Sequence, residues 1–315
     1  MSLPIDPFEQ NRRLGRGVNI IGYDPIWKSR EQARFQEKHF RLIREAGFQH
    51  VRINLHPFHF MGVGPDFAIQ PQWLQTLDWA VEQSLKNGLV AVLDMHEFGA
   101  LGHDPLGLKP KFLAVWQQLA WRYRDAPDSV IFEVLNEPNQ ALNPALWNEY
   151  LKQPYEIIRQ SNPGRTLIIG PAWWNGIDHL HELELPADDR NIIVTVHYYH
   201  PMPFTHQGAG WSEFKDLSGV RWLGTDEEKQ SVVSGLGVAQ SWAERENRPL
   251  YLGEFGAYEH AEMESRARYT RFVVRQAEQM GWSWAYWQFD SDFVVYDIPG
   301  DRWIDPIREA LLGEG

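Results

Sequence analysis

The chain of 315 residues contains no cysteine. That absence removes a disulfide framework, a thiolate metal site and a cysteine nucleophile together, and it fits a reducing or an oxidising compartment equally well. No apolar stretch approaches the roughly 20 residues that cross a bilayer, so no membrane partner is expected. Basic residues are the minority, 30 against 42 acidic, giving a formal charge of −12. No run of Lys or Arg is long enough to neutralise a phosphate backbone, and nucleic acid is not an expected partner. The opening MSLPIDPFEQNRRLGRG lacks the apolar stretch of a secretion signal, which leaves a protein that stays inside or one whose leader has been removed, the second implying a secreted or periplasmic address. Linkers and low-complexity segments are also missing, so residues 1–315 are expected to form one domain, and a monomer.

Aromatics are abundant instead: 15 Trp, 11 Tyr and 16 Phe. Core packing accounts for many of them, and stacking platforms for a flat-faced ligand are the sharper reading of the rest. Eight short apolar runs of strand character recur along the chain: GVNIIGY (17–23), HVRINL (50–55), LVAVLDMH (89–96), VIFEVLNE (130–137), TLIIGPAW (166–173), IIVTVHYY (192–199), PLYLGEFG (249–256) and GWSWAYWQF (281–289). Amphipathic patterns separate them. Helices are expected near 30–46 (Phe35, Leu42, Ile43 and Ala46 on one face), 72–86, 110–124, 145–160, 227–245, 262–279 and 304–312, with the weakest unit at 175–185. Eightfold β-α alternation implies a parallel sheet with right-handed crossovers, and eight strands close into an α/β fold, a single (β/α)8 TIM barrel; an open doubly wound sheet is the alternative. The longest insert, residues 200–226, follows strand six, and loops of that length in compact domains are usually functional.

Polar residues collect at the strands' carboxyl ends, the end of a barrel that carries chemistry. The stretch IFEVLNEPN (131–139) runs an apolar strand into Asn136, Glu137 and Pro138. Strand two carries Arg52, strand three ends in His96, strand six in His197 and Tyr199, strand seven in Glu254, and strand eight holds Trp287. A lone strand-end Glu is ordinarily a solvated or paired loop residue; convergence of six such strand ends on one mouth points to a site. Glu137 and Glu254 would face each other there, one protonated and one ionised, which is the pair glycoside hydrolysis needs, at about 5–5.5 Å for retention or 6.5–9.5 Å for inversion. Consecutive Asn136 and Glu137 cannot both face inward on a regular strand, so a bulge or strand-end twist is expected. Glu133 shares an inward face with Glu137 and reads as a buried carboxylate paired with an interior Arg or His.

The N-E-P of 136–138, the G-E-F-G of 253–256, Arg52, His96, the H-Y-Y of 197–199 and Trp287, in this order at these strand ends, resemble glycoside hydrolase family 5, the cellulase family of clan A, over essentially the whole chain. The resemblance implies that Glu137 is the general acid/base and Glu254 the nucleophile of a retaining double displacement, that Arg52 and Tyr199 hold the nucleophile, that Asn136 bonds the sugar 2-hydroxyl, and that Trp287 lies at a cis peptide beside the sugar. A guanidinium near Glu254 should lower its pKa, while Glu137, more buried and with less cationic support, should stay protonated. Trp173 and Trp174 after strand five and Trp211 in the insert are candidate platforms, one of the tandem pair packing inward. HYYHPMPFTHQGAGW (197–211) is similar to a loop of the bacterial endoglucanase branch. Glu97 departs from the pattern, standing where many relatives have a second His.

The expected activity is thus an endo-acting β-1,4-glucanase without cofactor, its partner a β-linked polysaccharide or oligosaccharide. The alternatives are the same machinery on β-mannan, xyloglucan or mixed-linkage glucan, a binding module that has lost catalysis, and a metal-dependent hydrolase. Against the last, His96 and His197 lack the H-x-H pair that barrel metallohydrolases place on one strand, and HPFH (56–59) lies in a loop. No metal is expected.

Overall fold

The computed structural model describes residues 5–313; the ends of the 1–315 span lie outside the described residues. Eight parallel strands close into a barrel in chain order: β1 (Arg16–Ile20), β2 (His50–Leu55), β3 (Val90–Met95), β4 (Val130–Glu133), β5 (Leu167–Ile169), β6 (Ile192–Tyr198), β7 (Leu250–Phe255) and β8 (Ser283–Tyr286). β1 pairs with both β2 and β8, which shuts the cylinder and leaves no open sheet edge. The helices are α1 (Pro7–Leu14), α2 (Glu37–Ala46), α3 (Pro71–Lys86), α4 (Phe98–His103), α5 (Pro105–Arg122), α6 (Pro144–Ser161), α7 (Ala172–Asn175), α8 (Met202–Thr205), α9 (Asp226–Glu246), α10 (Met263–Gln279) and α11 (Asp305–Leu312). A short antiparallel pair, β9 (Tyr296–Asp297) and β10 (Arg302–Trp303), follows the barrel.

The helix starts are written in the sequence. Proline stands in the first turn of α1, α3, α5 and α6, where its missing N–H costs nothing. Asp6, Asp104 and Asn143 cap α1, α5 and α6 through their side chains, and Thr225 with Glu228 forms a reciprocal capping box at α9. Where the pattern was weakest the helix is largely absent: after β5 there is only α7 and a 3-10 turn, Ile177–Glu182. The helix expected over 30–46 begins at Glu37. Residues 30–32 form a 3-10 turn, and Asp24 accepts the backbone N–H groups of Arg34 and Phe35 in the bend that follows, which buries Phe35 ahead of the α-helix. The N-terminal helix α1 has no counterpart in the eight-unit reading. Its last residue, Leu14, packs with Val90, Val92, Ile131, Ile168, Ile193, Tyr251 and Ala285 to fill the lower end of the barrel.

Alternation along the strands places the site. Val51, Ile53 and Leu55 of β2 join the core between barrel and helices, while His50, Arg52 and Asn54, of opposite parity, face inward, all fully buried. His50 closes the bottom, its ring nitrogens meeting the Leu14 carbonyl (2.7 Å) and the Tyr251 hydroxyl (3.0 Å). Above it, the interior becomes polar.

Candidate active site

Arg52 is the centre of the polar layer. Nε and Nη2 donate to both oxygens of Glu133 (2.7 and 2.8 Å), Nη1 to Asn19 Oδ1 (2.8 Å) and Glu254 Oε1 (2.7 Å), and Nη2 also to Asn136 Oδ1 (2.8 Å). Every N–H of the guanidinium is thereby used, a geometry only a planar five-donor fork supplies. Asp94 Oδ2 stands 3.2 Å from Nη2 and accepts from Asn54 (2.9 Å), and it lies 2.6 Å from His96 Nδ1. Glu133 therefore points inward and pairs with an Arg, as the period of two requires.

Glu254 and Glu137 reach the mouth by two backbone irregularities. In the β6–β7 ladder Val196 pairs with Leu252 but His197 with Glu254, so Gly253 is an extra residue that turns Glu254 inward. A Cβ at Gly253 would come within 2.6 Å of Thr195 Oγ1, so the bulge needs glycine. β4 ends at Glu133, and Glu137 takes a left-handed conformation (φ 45°). That is the strand-end twist which lets neighbouring side chains converge: Asn136 bonds Arg52, and Glu137 Oε1 lies 2.7 Å from His197 Nδ1. Tyr199 Oη donates to Glu254 Oε2 (3.0 Å). One oxygen from each carboxylate and a ring nitrogen of His197 lie within 4.8 Å of one another.

Electrostatics correct two expectations. Glu254 is not lowered by its arginine. Burial pushes its pKa up to about 7, with His197 and Arg52 pulling down and Glu137 pushing up. Arg52 is shared with Glu133 and Asp94, so no single carboxylate has the cation to itself. Nor is Glu137 the more buried partner: its side chain is 14% exposed against 6% for Glu254. Its pKa is nonetheless pushed higher, to about 8, by burial and by Asp94 and Glu133, against the pull of Arg52. What separates the pair is direct contact: Glu254 touches a guanidinium and a phenol, Glu137 only an imidazole whose own pKa burial lowers. These contacts favour the ionised form at Glu254 over Glu137.

Two open cavities lie at this mouth. One, about 480 Å³, is lined by Tyr23, His96, Tyr199, His206, Trp211 and Trp287 together with both acids. The other, about 620 Å³, is lined by Trp173, Trp174, His179, His197 and Tyr198 among others. The expected platforms thus divide between the two cavities, Trp211 and Trp287 in the one that holds the acids and Trp173 and Trp174 in the other. Trp287 lies at a cis peptide to Gln288, and one face of its indole is stacked on His96 at 5.4 Å. Trp211 is 60% exposed, edge-on to Tyr258. Neither member of the tandem pair packs inward, contrary to expectation. Trp173, Trp174 and Asn175 are all left-handed (φ 58°, 60° and 54°), a turn that leaves both indoles at the cavity and buries Asn175 instead.

Glu137, His197 and Glu254 also form the one set of side chains among the described residues close enough to share an ion. Both oxygens of Glu254, Oε1 of Glu137 and Nδ1 of His197 are already engaged with Arg52, Tyr199 and one another. Glu97 points away from the site: its carboxylate accepts the Phe58 N–H (2.6 Å) and burial raises its pKa to about 7. Sequence reasoning missed Asp94, Asn19, Asn54, Tyr23, His206 and Asn175. Two of these were readable: Asp94 shares the parity of His96, and Asn54 that of Arg52. Tyr23 and His206 sit on loops, where no period applies.

A barrel of this closure, with two carboxylates, one just after β4 and one on β7, meeting at its mouth and indoles lining the cavities there, defines the class of glycoside hydrolases built on the (β/α)8 fold. Residues 13–292 match the cellulase family, glycosyl hydrolase family 5. The chain belongs to that family. Over 323 residues it is 29% identical to endoglucanase H of Acetivibrio thermocellus, covering 99% of this chain but 34% of that protein, so the chain spans about a third of that relative's length. Endoglucanase C of the same species is 28% identical, with 94% of this chain and 96% of that protein covered. Among solved structures, Cel5A of Thermotoga maritima superposes with a TM-score of 0.92 in complexes with mannotriose (39% identity) and with cellobiose (40%), covering 97% of this chain and 100% of that one. None of the described helices is long and apolar enough to cross a membrane.

Proposed function

We propose that the chain is a single-domain, monomeric, endo-acting β-1,4-glucanase that cleaves with retention of configuration. The observation that carries this reading is that one oxygen of Glu137 and one of Glu254 lie within 4.8 Å of each other, in keeping with the carboxyl separation of about 5–5.5 Å in retaining enzymes. Glu254, ionised first, attacks the anomeric carbon; the glycosidic C–O bond breaks and its oxygen takes the proton of Glu137. Glu137, now a carboxylate, removes a proton from water, and that water displaces Glu254 from the sugar. Arg52 and Tyr199 hold the attacking carboxylate by its two oxygens. Asn136, its carbonyl taken by Arg52, has amide hydrogens left for the sugar 2-hydroxyl. Trp287 and Trp211 offer platforms for sugar rings in the cavity that holds both acids, and Trp173 in the neighbouring one. A polymeric substrate suits a secreted or periplasmic site of action.

The test is the anomer released first. Proton NMR of cellotetraose hydrolysis, read before mutarotation, should show the β-anomer; α-anomer first would overturn retention. The mannotriose complex of the T. maritima relative favours a second substrate reading, β-mannan. The same assay on manno-oligosaccharides ranks the two, because only a site that bonds the hydroxyl distinguishing the epimers rejects one strongly.

Activity should also be confined to a narrow window near neutrality. As pH falls through about 7 Glu254 gains a proton and cannot attack; as pH rises through about 8 Glu137 loses the proton it must donate. A bell-shaped kcat/KM profile is expected, its limbs belonging to the coupled pair. A flat profile from pH 5 to 9 would contradict the assignment.

A further inference from the structure

Asn175 is fully buried, and its Nδ2 lies 3.3 Å from His197 Nε2, on the far side of the ring from Glu137. Room is made for it by Gly170, where a Cβ would stand 2.1 Å from Asn175 Oδ1. The backbone aims it with three successive left-handed residues, Trp173, Trp174 and Asn175, a conformation that persists in bulky side chains only where their surroundings enforce it. Its carbonyl oxygen has no hydrogen-bond partner. The contact with His197 is thus its one polar engagement.

That contact has a consequence for the acid. An amide N–H can meet Nε2 only if that nitrogen offers its lone pair. The ring, neutral because burial lowers its pKa, then carries its single proton on Nδ1. Nδ1–H donates to Glu137 Oε1 at 2.7 Å. Oε1 is therefore an acceptor, and when Glu137 is protonated the proton sits on Oε2, which has no partner among the described residues. Resting on the glycosidase reading above, we propose that Asn175 is a positioning residue: it fixes the tautomer of His197, and through it places the transferable proton on the oxygen of Glu137 that is free to meet the glycosidic oxygen.

Other charges around this relay bear on its titration. Glu254 from β7, Glu133 from β4 and Asp94 from β3 favour a protonated imidazole, while Arg52 from β2 opposes it. Arg52 also lowers the pKa of Glu137, which Asp94 and Glu133 raise. Tyr199 contacts Glu254 rather than Glu137, and Asp178, His179 and His200 line the cavity on the Asn175 side. With carboxylates on several sides, the ring is poised to gain a second proton if Nε2 is given an acceptor.

Two variants separate this role from a structural one, both compatible with a left-handed backbone: Asn175→Gly and Asn175→Asp. Each is assayed on 2,4-dinitrophenyl cellobioside, whose leaving group departs without a proton, and on phenyl cellobioside, whose leaving group needs one. Both variants should lose about 10-fold or more in kcat/KM on the phenyl substrate, part of the 10²–10⁴-fold worth of general acid catalysis, and stay within about twofold on the dinitrophenyl substrate. In Asn175→Asp an imidazolium beside Glu137 favours its charged form, so the basic limb of the profile should move down by about one pH unit or more. Nitrogen-15 NMR of the wild type should show His197 protonated at Nδ1. Equal losses on both substrates, an unmoved basic limb, or a proton on Nε2 in the wild type would each overturn the proposal. A wild type that cleaves neither aryl cellobioside would remove the glycosidase reading itself, a distinct outcome.

Discussion

Glu254→Ala is expected to lower kcat/KM on cello-oligosaccharides by on the order of 10⁴-fold or more, the scale on which a group that acts as part of a catalytic unit is lost. The fold should survive, because Arg52 keeps Glu133, Asn19 and Asn136 and is not left unpaired. The variant gives the assignment a sharper test than loss of rate. Shortening the side chain leaves room for a small anion on the nucleophile's side of the sugar, so azide with 2,4-dinitrophenyl β-cellobioside should restore turnover. Azide would form the bond to the anomeric carbon as dinitrophenolate departs, and the product should be the α-cellobiosyl azide. Activity near the wild-type level, or rescue giving the β-azide, would move the nucleophile elsewhere.

Arg52→Met should be the second largest effect, and it should appear in stability as well as rate. Removing the one guanidinium leaves Glu133 and Asp94 buried without a cation, and breaking a buried ion pair on one side costs about 3–5 kcal/mol. The sign of its pH dependence follows from direction alone. Burial already raises both carboxyls, with Arg52 the principal opposing influence, so its loss raises them further. A group with a raised folded pKa contributes stability below its unfolded pKa and loses it as pH rises through the folded one. The deficit should therefore be small near pH 4 and grow toward pH 8, measured by urea titration at each pH. A deficit that shrinks with rising pH would contradict the burial of these acids. Arg52→Lys should recover little, since an ammonium cannot reach Glu133, Asn19, Asn136 and Glu254 together from one plane.

How far the site was legible follows from where its residues sit. Arg52, Glu133 and His197 lie on strands, where the period of two assigns a face before any coordinates exist. Asn136 and Glu137 were legible as a conflict, since two neighbours cannot share a face, and the left-handed Glu137 resolves it. The tandem indoles were misread because α7 is a left-handed turn that no hydrophobic period encodes; the residue it buries is the amide. Glu254 was misjudged in pKa because one visible Arg was counted against one visible Glu, whereas Arg52 is divided among acids brought to it by three other strands.

By itself the sequence determined the eightfold alternation, the polar residues at the strand ends and the family. Each is a local or periodic property, and a strand's two faces are fixed by residue parity. Only the tertiary structure decided how one cation is shared among several carboxylates, which oxygen of Glu137 is left free, and which cavity each indole lines. Those depend on distances between residues dozens to hundreds of positions apart, set by barrel closure, by the extra residue at Gly253 and by two left-handed turns, and no pattern along the chain carries them.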